Sequence, residues 1–229
     1  MGSPDSFPQG FDILPDGDIV YVRDGGSQGG TRTLVWIDQA GQETEIDMPA
    51  MSLLHVSVSS STTRTRILFS EGGNPENWVY DVGRGLPPQQ LTFDNTQSNS
   101  PMWIDDGLNY VYTGLNDDGG RSVYRRSADG LGSAEELIHT SQDEWWVLAS
   151  TIAQDRTTLL GMALVSTEQS SRAIKLPLDN AQGSEALFEV DYSTGSPKLS
   201  PDDQWLTYVS NELGRLEIFV TSYPEIEGK

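Results

Sequence analysis

Hydrophobic residues fall along this chain in short bursts, each ended by glycine, proline, aspartate or asparagine. Ile19-Val20-Tyr21-Val22, Asn109-Tyr110-Val111-Tyr112 and Trp205-Leu206-Thr207-Tyr208-Val209 are dense in aromatic and β-branched side chains, the composition of a pleated, buried sheet. A second burst follows at Thr33 to Asp38, Asn77 to Val82, Ser122 to Ser127, Ser171 to Leu178 and Leu216 to Ser222. A third, more polar one comes at Gln42 to Asp47, Gln89 to Phe93, Glu135 to His139 and Ala186 to Val190. A short run such as Phe11-Asp12-Ile13 or Pro101-Met102-Trp103 precedes each set, so every unit reads as four strands. The best apolar stretch, Thr158 to Val165, is shorter than the roughly 10 to 12 residues at which a buried helix fits better, and it reads as the second strand of the fourth unit.

The units are punctuated by a recurring turn. Leu14-Pro15-Asp16-Gly17, Ile104-Asp105-Asp106-Gly107 and Ser200-Pro201-Asp202-Asp203 are its clear copies, with degenerate ones at Ser59 to Thr62 and Ala153 to Arg156. The starts at 14, 59, 104, 153 and 200 are 45, 45, 49 and 47 residues apart. Four strands in a repeat of about 40 to 50 residues make the blade of a β-propeller rather than the helix pair of other arrays. The expected fold is all-β: one propeller domain over residues 11–229, with blades at about 11–47, 52–93, 100–140, 145–190 and 196–224, after a disordered or tag-like stretch at 1–10. The fifth unit stops before a fourth strand, so the last blade is expected to be incomplete, or the whole to be a piece of a six-bladed propeller. An unfinished blade leaves a row of unpaired backbone groups, a template for another strand. A homo-oligomer formed through that edge is therefore expected.

Composition supports a packed all-β chain, with 23 glycines and 12 prolines to supply its turns. Charge changes the picture more. Thirty-four acidic residues against 14 basic ones give a formal net charge of -20, which repels nucleic-acid phosphates and anionic lipid heads and excludes both as partners. The chain has no cysteine, hence no disulfide framework or thiol chemistry. Met1 to Gly10 lacks the basic and apolar regions of a signal peptide, and no run approaches the roughly 18 to 20 apolar residues of a membrane span.

Ser200 to Pro224, Thr33-Leu-Val-Trp-Ile-Asp-Gln-Ala-Gly41 and Gln90-Leu-Thr-Phe-Asp94 followed by Ser100-Pro-Met-Trp103 resemble the repeats of TolB-like, WD-type bacterial β-propellers, above all those fused to bacterial serine/threonine kinases and sensor proteins. The resemblance covers about residues 11 to 224, although the second and fourth units have lost the Ser-Pro-Asp-Gly form of the turn. It implies a recognition or scaffold domain that binds a protein or small ligand across one face of a ring, without catalysis, in an extracytoplasmic or periplasmic setting. The enzyme-associated alternatives are the gating domain of a serine peptidase and a propeller lyase. A further alternative is a fragment or engineered cassette whose interest is architectural.

Candidate chemistry is sparse. Gly25-Gly-Ser-Gln-Gly29 matches the nucleophile-elbow pattern, but it lies in a hairpin loop with no helix after it and is read as a flexible loop. His55 and His139 stand in no ligand spacing and are read as structural. No cofactor is expected. With two histidines and no cysteine a zinc site would need carboxylates for most of its ligands, which leaves calcium, with Asp117 and Asp118 of the Asn116-to-Arg121 loop as its candidate ligands, although the spaced calcium-loop pattern is absent. Trp36, Trp78, Trp103 and Trp205 are expected at matching positions in the core. Asp143-Glu144-Trp145-Trp146 differs: neighbouring strand residues point to opposite faces, so one indole should lie near a mouth, beside carboxylates that suit a basic side chain, peptide or sugar. Asn211 and Arg215, with Arg121 in the corresponding loop, are read either as ligand contacts or as a brace between neighbouring blades.

Overall fold

The structure, a computed structural model, describes residues 10–14, 16–24, 30–59, 64–73, 75–93, 97–140, 145–165, 170–178 and 184–226; the side chains of Asp24, Trp145, Trp146 and Val165 are not described. Every regular element among these residues is a strand. The first sheet holds β1 (Phe11–Ile13), β2 (Ile19–Asp24), β3 (Arg32–Ile37) and β4 (Glu43–Glu45). The second holds β5 (Leu53–Val58), β6 (Arg66–Glu71), β7 (Asn77–Asp81) and β8 (Gln89–Gln90), and the third β9 (Asn99–Trp103), β10 (Asn109–Leu115), β11 (Arg121–Ser127) and β12 (Glu135–Ile138). The fourth holds β13 (Trp145–Ile152), β14 (Thr158–Val165), β15 (Ser170–Pro177) and β16 (Glu185–Ala186), and the fifth only β17 (Thr194–Leu199), β18 (Trp205–Ser210) and β19 (Glu217–Ser222). Each sheet is a meander in chain order, so the fold is a β-propeller of five blades with a three-stranded last blade.

The chain divides into two compact units, residues 1–110 with 127–132, and residues 111–126 with 133–229. In the first, Val20, Leu34, Ile46, Met48, Leu53, Val56, Ile67, Phe69 and Tyr80 form a buried cluster. Successive blades are tied there by polar bonds as well. The Val58 amide donates to Asp12 Oδ2 at 2.7 Å, and the Trp103 indole donates to Ser57 O at 3.1 Å. The buried Arg66 guanidinium donates to Gly107 O and, at 2.8 Å, to Ala128 O, with its carbon 5.3 Å from the Trp103 ring centroid. In the second unit Leu159, Leu160, Met162, Ala173, Ile174, Leu206 and Tyr208 are buried, and Phe188 lies 4.3 Å from Tyr208 between ring centroids.

The recurring turn is preserved in backbone geometry even where its sequence has decayed. Gly17, Arg156 and Asp203 each donate their amide to the carbonyl three residues back, at 2.9, 3.0 and 3.0 Å. The fourth position has positive φ in all four described copies: 92° at Gly17, 84° at Gly107, 59° at Arg156 and 54° at Asp203. An aspartate side chain caps each one. Asp155 Oδ1, for example, accepts from Thr157 N and Thr158 N, both at 2.8 Å. The copy at Ser59 to Thr62 lies outside the described residues except for Ser59.

A second repeated device was not visible in the sequence. The first strand of the second, fourth and fifth blades breaks register, between Leu54 and Val56, Ala149 and Thr151, and Gly195 and Lys198. His55, Ser100 and Ser196 have φ of 43°, 49° and 47°, so a bulge or left-handed residue marks these strands. The tryptophans do not match as expected. Trp36 and Trp78 lie on third strands, Trp103 on a first strand and Trp205 on a second. Trp103 is buried, whereas Trp205, at the start of its strand, is 54% exposed.

Candidate functional site

A meander puts the loops of each blade at two ends. Within each blade the first-to-second and third-to-fourth-strand loops lie at one end, and the second-to-third-strand loop lies at the other with the connections between blades. At the first end the recurring turns are alike, and two of them bond to each other. The Gln154 amide donates to Asp203 Oδ2 at 2.6 Å and its side chain donates to Pro201 O at 2.5 Å, joining the turns of the fourth and fifth blades.

At the opposite end of the second unit the loops present their charge to solvent. Residues 116–120 connect β10 to β11. Asn116 organises this loop: its Oδ1 accepts from Asp118 N at 3.2 Å and Gly120 N at 2.8 Å, and its Nδ2 donates to Ser122 Oγ at 2.7 Å and Thr140 O at 2.8 Å. The loop therefore holds Asp117 and Asp118 outward, as an Asn side chain bonding nearby backbone does in tight turns. The β11–β12 hairpin pairs Val123 with Ile138 and so returns His139 to the start of β11. His139 Nε2 lies 2.9 Å from Asp118 Oδ2 and its Nδ1 3.0 Å from Glu136 Oε1. The hydrogen bond to Glu136, then that to Asp118, raises the His139 pKa above its ordinary value, so the flanking carboxylates favour an imidazolium. The two carboxylates occupy opposite nitrogens of the ring rather than converging on one point. Among the described residues no three His, Cys, Asp or Glu side chains are grouped to hold a metal ion.

The loop of residues 211–216, between β18 and β19, occupies the same place in the last blade. Its Asn211-Glu-Leu-Gly214 repeats the form of Asn116-Asp-Asp-Gly119: the Gly214 and Gly119 amides donate to the asparagine carbonyl three residues back, at 2.8 and 3.0 Å. Asn211 Oδ1 also accepts from Ser193 N at 2.9 Å, fixing the entry to β17. Arg215 pairs with Glu217, Nε to Oε1 at 2.6 Å, on its own hairpin, so the pairing that the geometry provides runs within the blade and not to a neighbour. Arg121 opens β11 with its pKa lowered by burial. Trp145 and Trp146 open β13, with their backbones opposite Val165 and Leu164, while Asp143 and Glu144 lie outside the described residues, as does the Gly25-to-Gly29 loop.

The structure thus brings Asp118 together with His139 and Glu136, a grouping the sequence reading did not make. Its signal lay in the hairpin: once β11 and β12 are paired, residues 21 apart become neighbours. His55 is of the other kind. It sits at the β5 bulge, with Nδ1 3.2 Å from Ser70 Oγ, and burial pulls its pKa down to about 4.

No family model matches the chain, and no curated protein matches it in sequence. Solved structures do match. TolB from Acinetobacter baumannii superposes with a TM-score of 0.69 at 19% identity over 92% of this chain, and a protein described as TolB from Agrobacterium tumefaciens gives 0.69 at 15% over 93%. The chain has a TolB-like β-propeller fold. This TolB-like propeller spans 50% of the Acinetobacter chain and 77% of the Agrobacterium one. It is also similar to a puromycin-hydrolyzing peptidase from Mycobacterium tuberculosis, with a TM-score of 0.68 at 14% identity over 97% of this chain but only 38% of that one. Identities this low carry the fold and nothing finer.

Proposed function

We propose that this TolB-like propeller is a non-catalytic recognition domain that engages a protein or small ligand bearing cationic groups. It does so through the loop end that carries residues 116–120, 139 and 211–216. The observation behind this reading is the contrast between the two ends of the blades. One end carries the repeated turn, whose aspartates cap their own backbone, while the other presents the exposed carboxylates of Asp117 and Asp118 and the charged 211–216 loop on hairpins. Variable loops on a rigid scaffold are where binding residues concentrate. The net charge of -20 favours a basic partner and disfavours nucleic acid. An extracytoplasmic setting accompanies the reading, on the strength of the TolB-like fold.

A defined panel of Lys- and Arg-containing peptides, with acidic counterparts as controls, tests it. Binding of basic peptides should weaken about tenfold in a variant combining Asp117→Asn and Asp118→Asn, for the loss of two charges. The change Asp16→Asn, at the turn end, should leave it alone. Equal effects at both ends, or no preference for basic peptides, would refute the assignment.

The likeness to the peptidase favours a second reading, a propeller that screens access to a hydrolase. In that case the chain should bind such a hydrolase domain and alter the size of the peptides it cleaves.

A further inference from the structure

The outer edge of β19 is the open edge of the last blade among the described residues. In the other four blades the third strand is covered by an antiparallel fourth strand: β3 by β4, β7 by β8, β11 by β12 and β15 by β16. The same backbone bond recurs in three of them, from Ile46 N to Leu34 O at 2.9 Å, Leu91 N to Asn77 O at 2.8 Å, and Leu187 N to Ala173 O at 2.8 Å. Ile218 holds the place of Asn77, since it faces Val209 of β18 as Asn77 faces Ser70 of β6. Among the described residues no strand pairs with β19 on that side.

The direction of the free groups follows from the ladder. The Tyr223 amide donates to Gln204 O at 3.0 Å, so Glu217, Phe219 and Thr221, at alternate positions, also point their amides toward β18. Ile218, Val220 and Ser222 then point theirs outward. The side chains of Ile218 and Val220 share one face of the sheet and are 76% and 63% exposed. Two β-branched residues on an open strand edge are what strand addition uses.

We propose that β19 pairs with the β19 of a second copy of this chain across a two-fold axis, completing both last blades. Two features select a second copy. Every fourth strand in this fold runs antiparallel to the third, and a two-fold axis makes identical strands antiparallel. The strand is also self-complementary. Centring the axis on Phe219 sets Ile218 of one copy against Val220 of the other, twice, and places Glu217 opposite Thr221 rather than opposite its own copy. Arg215 already neutralises Glu217, so the strand adds little to the acidic excess. That excess lies elsewhere on the chain, and salt should therefore strengthen the pair.

Light scattering coupled to size exclusion, over a wide range of protein concentration and at low and high salt, tests the proposal. The expected species has twice the 25.1 kDa mass of the chain, and its share rises with protein and with salt. Ile218→Lys sets a charge against the apolar Val220 of the second copy at both ends of the pairing, and Val220→Pro removes one outward donor without touching the β18 ladder. Each should weaken association by about tenfold or more, with circular dichroism unchanged. A monomer under all conditions would overturn the proposal. So would a dimer indifferent to both substitutions. Slow hydrogen exchange at the Ile218 and Val220 amides in a monomer would also overturn it, and would assign the edge to a strand of the same chain.

Discussion

His55 shows what a single residue contributes when fold and chemistry meet at one position. Its left-handed φ of 43° belongs to the bulge in β5, and burial there depresses its pKa to about 4. The unfolded chain takes up a proton near the ordinary value of about 6.5, whereas the folded chain resists until about 4. Stability is therefore full above about pH 6.5 and drains away as pH falls toward 4, by about 3 kcal/mol in all. His55→Asn keeps a side chain that tolerates the left-handed region and has no proton to gain. Urea unfolding of both proteins across this window should show the histidine-dependent part of the slope vanish in the variant. A parallel decline in the two would mean that the imidazole is not the sensor. His139 has the reverse balance: two carboxylates hold its proton, so its contribution is present at low pH and is lost as pH rises through its raised pKa.

Among elements, the repeated turn is held by geometry more than by sequence. Its fourth position is left-handed whether glycine, arginine or aspartate stands there, and its amide bonds back into the turn, three residues back at Gly17, Arg156 and Asp203 and two back at Gly107. Where glycine stands, the consequences of replacing it differ between copies. At Gly17 an added Cβ meets only the Gln39 side chain, at 3.5 Å or more, so Gly17→Ala carries the backbone cost alone, about 1 kcal/mol. At Gly107 the Cβ would come within 3.1 Å of Ser59 Cβ and 3.5 Å of Arg66 Cδ, and the Gly107 carbonyl is one of the two that hold the Arg66 guanidinium. Gly107→Ala should cost roughly 2 to 3 kcal/mol more than its counterpart, since it also loosens a buried cation from its acceptors. Thermal or denaturant unfolding of the two variants side by side measures the difference. Equal losses would show that Arg66 does not depend on this turn.

For the molecule as a whole, the charge of -20 is the dominant condition on behaviour. Like charges crowded on a compact surface repel, and salt screens them. The midpoint of thermal unfolding should therefore rise with sodium chloride at protein concentrations too low for association, and an unchanged midpoint would show that the acids are spaced widely enough not to interact. Among the described residues no helix is long and apolar enough to cross a membrane. The fold class, the number of blades and the unfinished last one were legible in the chain itself. Strand patterning and turn spacing are local, and a turn such as Ser200-Pro201-Asp202-Asp203 needs only its own residues to form. The core was legible in part: Val20, Ile67 and Tyr208 sit where alternation puts them, but Trp205 looked like core and is exposed, because its burial depends on a neighbour and not on its strand. The candidate site was hardly legible. Asp118 and His139 come together only when one hairpin folds back over 21 residues, and the bulge at His55 arises from the fit of β5 against β6. The sequence by itself determined the strands, the turns and their count. Tertiary structure alone decided which charges face each other and which aromatic is uncovered, because each depends on contacts between residues far apart in the chain.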